Sequence, residues 1–143
     1  MDKDEFRNNE HYPDPTAYNG VKRADRDRLG HRIRRGEIYY IDGAQTAFSQ
    51  SAGRPAIIIS NNAANIFSNE VLIVWLTRNL KKPLPTHVIV QTDCRCTALC
   101  EHIETVRKDR IGKYVGRLTQ REMDAVDEAL LVSIGLGRKE VAE

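Results

Sequence analysis

From Gly36 onward the chain alternates short apolar runs with polar punctuation. Glu37-Ile38-Tyr39-Tyr40-Ile41-Asp42 is rich in β-branched and aromatic residues and predicts a strand. Gly43 to Gly53 predicts a loop of Gly, Ser, Thr, Gln and Ala, long enough inside a compact domain to suggest function. Arg54-Pro55 leads into Ala56-Ile57-Ile58-Ile59-Ser60, which reads as a buried strand. Pro55, lacking an N–H, suits only the first residue of that strand. Asn61 to Glu70 is a polar connection of helical or turn character, and Val71 to Thr77 predicts the next strand. Lys81-Lys82-Pro83-Leu84-Pro85 forms a stiff, basic turn before a strand over Thr86 to Gln91. A cysteine-rich turn, an extended stretch over Thr97 to Arg107, one helical turn at Lys108 to Ile111 and a short strand over Lys113 to Leu118 follow. Thr119-Gln120-Arg121-Glu122 is a capping box, with Thr and Glu three apart ahead of an apolar pattern. Met123, Val126, Leu130 and Ile134 then recur at helical spacing, so one face should pack on the sheet, and Gly135 and Gly137 end the helix. Many short strands followed by one helix predict a mainly β fold with α: a small, strongly curved antiparallel sheet or barrel closed by a C-terminal helix.

The first 34 residues break this pattern. Met1 to Val21 is polar, holds Pro13, Pro15 and Gly20, and shows neither strand nor helix periodicity, as expected of a flexible or partly helical extension. Lys22 to Arg35 carries seven basic residues against Asp25 and Asp27. It reads most simply as a solvated linker, and alternatively as a basic arm that meets a phosphate backbone through charge alone. The whole chain of 143 residues carries a net charge of only +2, so the total does not announce nucleic-acid binding. No apolar run is long enough to span a membrane, and the charged N-terminus lacks a signal-peptide core, so a cytoplasmic protein is expected.

Most catalytic motifs are missing. There is no phosphate-cradling glycine loop, no Gly-x-Ser-x-Gly elbow, and no His-x-x-x-His pair or spaced carboxylate cluster for a hydrolytic metal. Cys94, Cys96 and Cys100, with His102, contain four donors, but their spacing is poor for a zinc knuckle. The simpler reading is one buried cysteine, Cys100, and two turn cysteines; no metal or cofactor is expected. If Thr97 to Ile103 is extended, Cys100 and Glu101 point to opposite faces. His87 and His102 read as ordinary strand residues. Arg54 and Thr77 differ because each brackets an apolar strand. If the two strands are antiparallel neighbours, the start of one lies beside the end of the other. A guanidinium beside a hydroxyl under a polar loop makes an anion-binding corner. Spacing alone leaves open that they merely cap strand ends. Trp75 shares a face with Thr77 by the two-residue period, as a base-stacking platform or as a core or interface residue.

An ordered set of short pieces adds to this reading. They are Arg35-Gly36-Glu37-Ile38-Tyr39, Gly53-Arg54-Pro55-Ala56, Ser60-Asn61, Leu76-Thr77, Leu84-Pro85-Thr86-His87-Val88, Ala98-Leu99-Cys100-Glu101-His102-Ile103, Thr105-Val106, Ile111-Gly112 and a helix running from Met123 to Leu136. In these pieces the chain resembles the MazF/PemK family of toxin endoribonucleases. The resemblance implies an SH3-like curved barrel over residues 35–137, flanked by the 1–34 extension and a short 138–143 tail. It also implies a homodimer, metal-independent cleavage of single-stranded RNA at short motifs, and a cognate antitoxin that fills the RNA groove. The family's catalytic arginine and threonine fall on Arg54 and Thr77. Expected products are a 2′,3′-cyclic phosphate and a 5′-hydroxyl. RNA contacts are implied for the loop residues Ser49, Gln50, Ser51 and Gly53, and for the basic Arg78, Lys81 and Lys82. The loop is one residue shorter than the family's, with Gln50 where Glu is frequent, and Arg78 stands where Ser is common; an altered base preference is expected. A gyrase poison on a related fold, or a non-catalytic nucleic-acid-binding relative, is the competing expectation.

Overall fold

The computed structural model describes residues 32–41, 53–79 and 83–137. The N-terminal extension through residue 31, the loop positions Ser49, Gln50 and Ser51, the Lys81–Lys82 pair and residues 138–143 lie outside the described residues.

Six strands form one antiparallel sheet. They are β1 (Glu37–Ile41), β2 (Arg54–Ile58), β3 (Glu70–Thr77), β4 (His87–Gln91), β5 (Arg95–Arg107) and β6 (Ile111–Arg117). A short helix α1 (Asn62–Phe67) joins β2 to β3, a single 3₁₀ turn (Lys108–Arg110) joins β5 to β6, and the helix α2 (Gln120–Ser133) is the last element among the described residues. Among the described residues the spatial order is β4-β5-β3-β2-β1-β6, so β4 and β6 are edges and the sheet does not close on itself. The expected barrel is therefore a curled, open sheet.

Curvature has a local cause. Val74 pairs with Ile103, but the next residue, Trp75, pairs with Leu99, so Cys100, Glu101 and His102 are extra residues on β5. Such a bulge bends its strand and increases the local twist. Cys100 N–H instead donates to Thr86 O at 3.0 Å, which swings the edge strand β4 around the bend. The predicted split holds here: Cys100 is fully buried and Glu101 is exposed.

Two apolar clusters fill the two faces. Val74, Leu76, Ala98, Cys100, Cys96 and Val90 meet Met123, Val126 and Ala129 of α2 on one side. Tyr39, Ile41, Ala56, Ile58, Ile73, Trp75, Val106 and Ile111 gather on the other, together with Ile33. Alternation along β3 sorts its side chains between them, as a pleated strand buried on both faces requires. The capping box is complete: Thr119 accepts from Glu122 N–H at 3.1 Å, and Glu122 accepts from Thr119 N–H at 2.9 Å. Arg35, counted in the basic arm by sequence, is instead a clamp. Its guanidinium donates to Ile59 O at 2.9 Å and to Asp127 of α2 at 2.6 Å. Gly36 (φ 90°) makes the turn just before β1; its N–H donates to Ile58 O and its carbonyl accepts from Leu118 N–H. That φ strongly favours glycine.

Most strand limits moved by one or two residues, β6 for example running from Ile111 to Arg117, and two of the shifts bear on residues singled out by sequence. β2 begins at Arg54 and ends at Ile58, so Pro55 is its second residue, opposite Tyr40. β5 begins at Arg95, which places Cys96 in the strand and buries it, where a turn cysteine was expected.

Candidate active site

β2 and β3 pair antiparallel with Ala56 opposite Trp75 and Ile57 opposite Val74. Continuing that register by two residues sets Arg54 directly across from Thr77. Arg54 also pairs with Ile41 on β1, and Thr77 with Thr97 on β5, so the corner sits in the middle of the sheet at one end. Gly53 (φ 75°) turns the chain into β2 in a conformation that disfavours other residues.

The Arg54 guanidinium lies over the Trp75 ring, 4.7 Å from its centroid. The indole N–H of Trp75 in turn donates to Glu104 Oε1 at 2.8 Å. Trp75 is thus a buried platform between a carboxylate at its edge and a cation on its face. The geometry favours the cation, because the ring face is the negative part of the quadrupole. Thr77 Oγ1 accepts from Asn79 N–H at 3.2 Å, which fixes the rotamer and leaves the hydroxyl proton free to donate.

Arg78 is exposed and pairs with Asp93 at 3.3 Å. The Cys94 thiol, then Asp93 and Tyr40, hold its guanidinium above the ordinary range. A second polar group stands on β4 and β5. Glu101 accepts from Thr86 Oγ1 at 2.9 Å and lies 2.9 Å from His87 Nε2. Burial alone pushes the Glu101 carboxyl up. Hydrogen bonds from His87, its own backbone amide and Thr86, with the charge of His87, outweigh that and hold it below the usual value. Among the described residues no three or more His, Cys, Asp or Glu side chains gather as a metal set.

Of the predicted site residues, Gly53, Arg54, Thr77 and Arg78 share one end of β2 and β3. Ser49, Gln50, Ser51, Lys81 and Lys82 fall outside the described residues. Sequence reasoning missed the Glu104 and Glu101 contacts. Glu104 is 29 residues from Trp75, and only the register of β3 on β5 brings them together.

A family model for PemK-like, MazF-like toxins of type II toxin–antitoxin systems matches residues 34–134. The chain belongs to this family. Its relatives include the endoribonuclease EndoA of Bacillus subtilis (strain 168), 32% identical over 111 residues, 73% of this chain and 96% of EndoA. An endoribonuclease structure from a mycobacterial species aligns with a TM-score of 0.64 at 29% identity, covering 76% of this chain and 97% of the other. A mycobacterial endoribonuclease in complex with its cognate antitoxin aligns with a TM-score of 0.65, also at 29% identity, over 75% and 99%. Arg54 and Thr77 both fall inside the matched span of this MazF-like toxin. Among its described residues no helix is long and apolar enough to cross a membrane.

Proposed function

We infer that this chain is an endoribonuclease toxin that cuts single-stranded RNA and is held in check by a cognate antitoxin. The observation that carries the reading is the β2–β3 register, which sets Arg54 across from Thr77 at one end of the sheet. Family membership supplies the reaction class, because the matched relatives are endoribonucleases. An activity on mRNA belongs in the cytoplasm, and a homodimer of two curled sheets would give the RNA a continuous groove.

RNA carries its own nucleophile, the ribose 2′-OH. The protein must therefore hold the phosphodiester in line and stabilise charge that develops on oxygen. Arg54 is a permanent cation with several donors, and Trp75 beneath it limits the directions it can take. It is suited to clamp the non-bridging oxygens as the 2′-oxygen attacks phosphorus and the 5′-oxygen leaves. Thr77 is a neutral hydroxyl and a poor base, so its part is to orient the 2′-OH or a phosphate oxygen. Bond making and breaking at phosphorus give a 2′,3′-cyclic phosphate and a 5′-hydroxyl. Arg78 and the polar loop around Ser49, Gln50, Ser51 and Gly53, with Lys81 and Lys82, would follow the backbone on either side.

The test is incubation of a long RNA with the full chain in EDTA, followed by identification of the new ends. Arg54→Ala should lower cleavage by about 10²- to 10³-fold, and Thr77→Ala by a smaller factor. Intact RNA with the unsubstituted protein would overturn the reading and direct attention to DNA gyrase or to binding without cleavage.

A further inference from the structure

At the turn between β4 and β5, Cys94 Sγ and Cys96 Sγ lie 3.4 Å apart. Cys94 is half-buried and Cys96 is buried. The third thiol, Cys100, is fully buried in the core, and burial pushes it up to about 12. Two of the three thiols thus touch, and one of the two meets solvent. They are also wired to Arg78. The Thr92 hydroxyl lies 2.8 Å from Asp93 Oδ1, 3.2 Å from the Cys94 carbonyl and 3.8 Å from Cys96 Sγ. Asp93 holds Arg78 at 3.3 Å. Continuing the Thr77–Thr97 register by one residue puts Arg78 across from Cys96.

We propose that Cys94 and Cys96 form a two-electron redox site, converted by peroxide-class oxidants into an intramolecular disulfide that releases Arg78 from Asp93. The Cys94 thiolate attacks one peroxide oxygen, giving Cys94 sulfenic acid and an alcohol or water. Cys96 sulfur then attacks the sulfenic sulfur, and the hydroxyl leaves with the Cys96 proton as water. Two electrons pass from the sulfur pair to the O–O bond. A small dithiol reverses the step. Cys94 is the attacking partner because it reaches solvent beside a cation; Cys96, kept protonated mainly by its burial, resolves the intermediate. Closing the pair to a bonded distance of about 2 Å draws Cys94 toward Cys96 and breaks its backbone contacts with Thr92. The Thr92 hydroxyl, no longer held by the Cys94 backbone, then turns away from Asp93 Oδ1 and leaves that carboxylate free to move off Arg78. Disulfides in a reducing compartment are typically transient and sensing, which suits an exposed turn.

Trypsin provides a direct readout, because it cuts after Arg95, between the two cysteines. After mild hydrogen peroxide, the flanking tryptic peptides should stay joined until dithiothreitol is added, with a mass lower by two hydrogen atoms. One of the three thiols should remain titratable in denaturant. Cys94→Ser and Cys96→Ser should abolish the joined peptide, and Cys100→Ser should keep it. Three free thiols after oxidation, or a covalent dimer in place of the joined peptide, would overturn the site. The coupling to RNA rests on the function proposed above. Reversible oxidation should tighten binding of a non-cleavable RNA by about two- to fivefold, the scale of one released surface cation. Cys94→Ser should not respond to peroxide. A disulfide that forms without changing RNA affinity refutes the coupling. RNA binding absent in both redox states refutes the endoribonuclease reading, while the thiol chemistry is judged by the peptides alone.

Discussion

Arg54 stands on Trp75, and Trp75 is pinned at its edge by Glu104. A long flexible side chain is thereby held in place, which would lower the entropy lost in forming the proposed clamp on RNA. Trp75→Leu keeps an apolar side chain at a buried position and removes the ring face. We expect cleavage to fall by about tenfold through kcat, the scale of a partly desolvated cation–π contact, with circular dichroism unchanged. An unaltered kcat would mean that Arg54 needs no platform. At Glu101 the folded-state carboxyl titrates below the ordinary 4.5. The unfolded chain therefore takes up the proton first as pH falls. Stability from this contact is complete above about 4.5 and is lost as pH drops through the lower folded-state value. Thermal melts between neutral pH and pH 3 should show a steeper decline for the unsubstituted protein than for Glu101→Gln. Parallel curves would remove the carboxylate from the account.

Among the elements, α2 depends most visibly on a few polar contacts. Glu122 closes the capping box through Oε1, and its Oε2 accepts from Gln91 N–H at 2.8 Å. One carboxylate thus caps the start of the helix and ties it to the edge strand β4, at the end of that strand opposite the His87–Glu101 contact. Thr119→Ala should cost about 1 kcal/mol, the typical value of a lost N-cap. Glu122→Ala should cost more, about 2 kcal/mol, because it also removes the partner of Gln91. Chemical denaturation measures both; equal losses would show that the Gln91 contact contributes nothing. Leu131, Ile134 and Leu136 are exposed near the end of this helix, as are Leu72 and Ile103 on the sheet. Burial of such residues is the contribution expected from the proposed second copy of the chain.

At the scale of the whole molecule, the folded unit is organised by a bend. The three extra residues on β5 let one continuous strand serve both halves of the curled sheet. The two clusters on the two faces of the sheet differ in role: one seats α2, and the other includes Trp75, the ring beneath Arg54. The packed chain includes Ile33, which is almost fully buried. Removal of residues 1–30 should therefore leave a single cooperative melt, since that stretch has no core periodicity in its sequence. A broad, non-cooperative transition in the truncated protein would refute this.

Short, local signals were legible in the chain itself. The capping box, the glycines at 135 and 137, the strand alternation and the apolar face of the helix each depend on residues within one or two turns or pleats of one another. They set the class of fold and its elements. The ordered motifs from Arg35 to Leu136 pointed to the family, whose model matches residues 34–134. Arg54 and Thr77 were legible as the polar ends of apolar strands. Everything that depends on register was decided by tertiary structure. Arg54 meets Trp75, Trp75 meets Glu104, and Glu101 meets His87 only because β2, β3, β4 and β5 pair with particular offsets. A slip of one residue would turn each of these side chains to the opposite face. The bulge on β5, which shifts the register of β5 on β3 between Val74 and Trp75, is a compromise among many long-range contacts. No local pattern of apolar and polar residues encodes it.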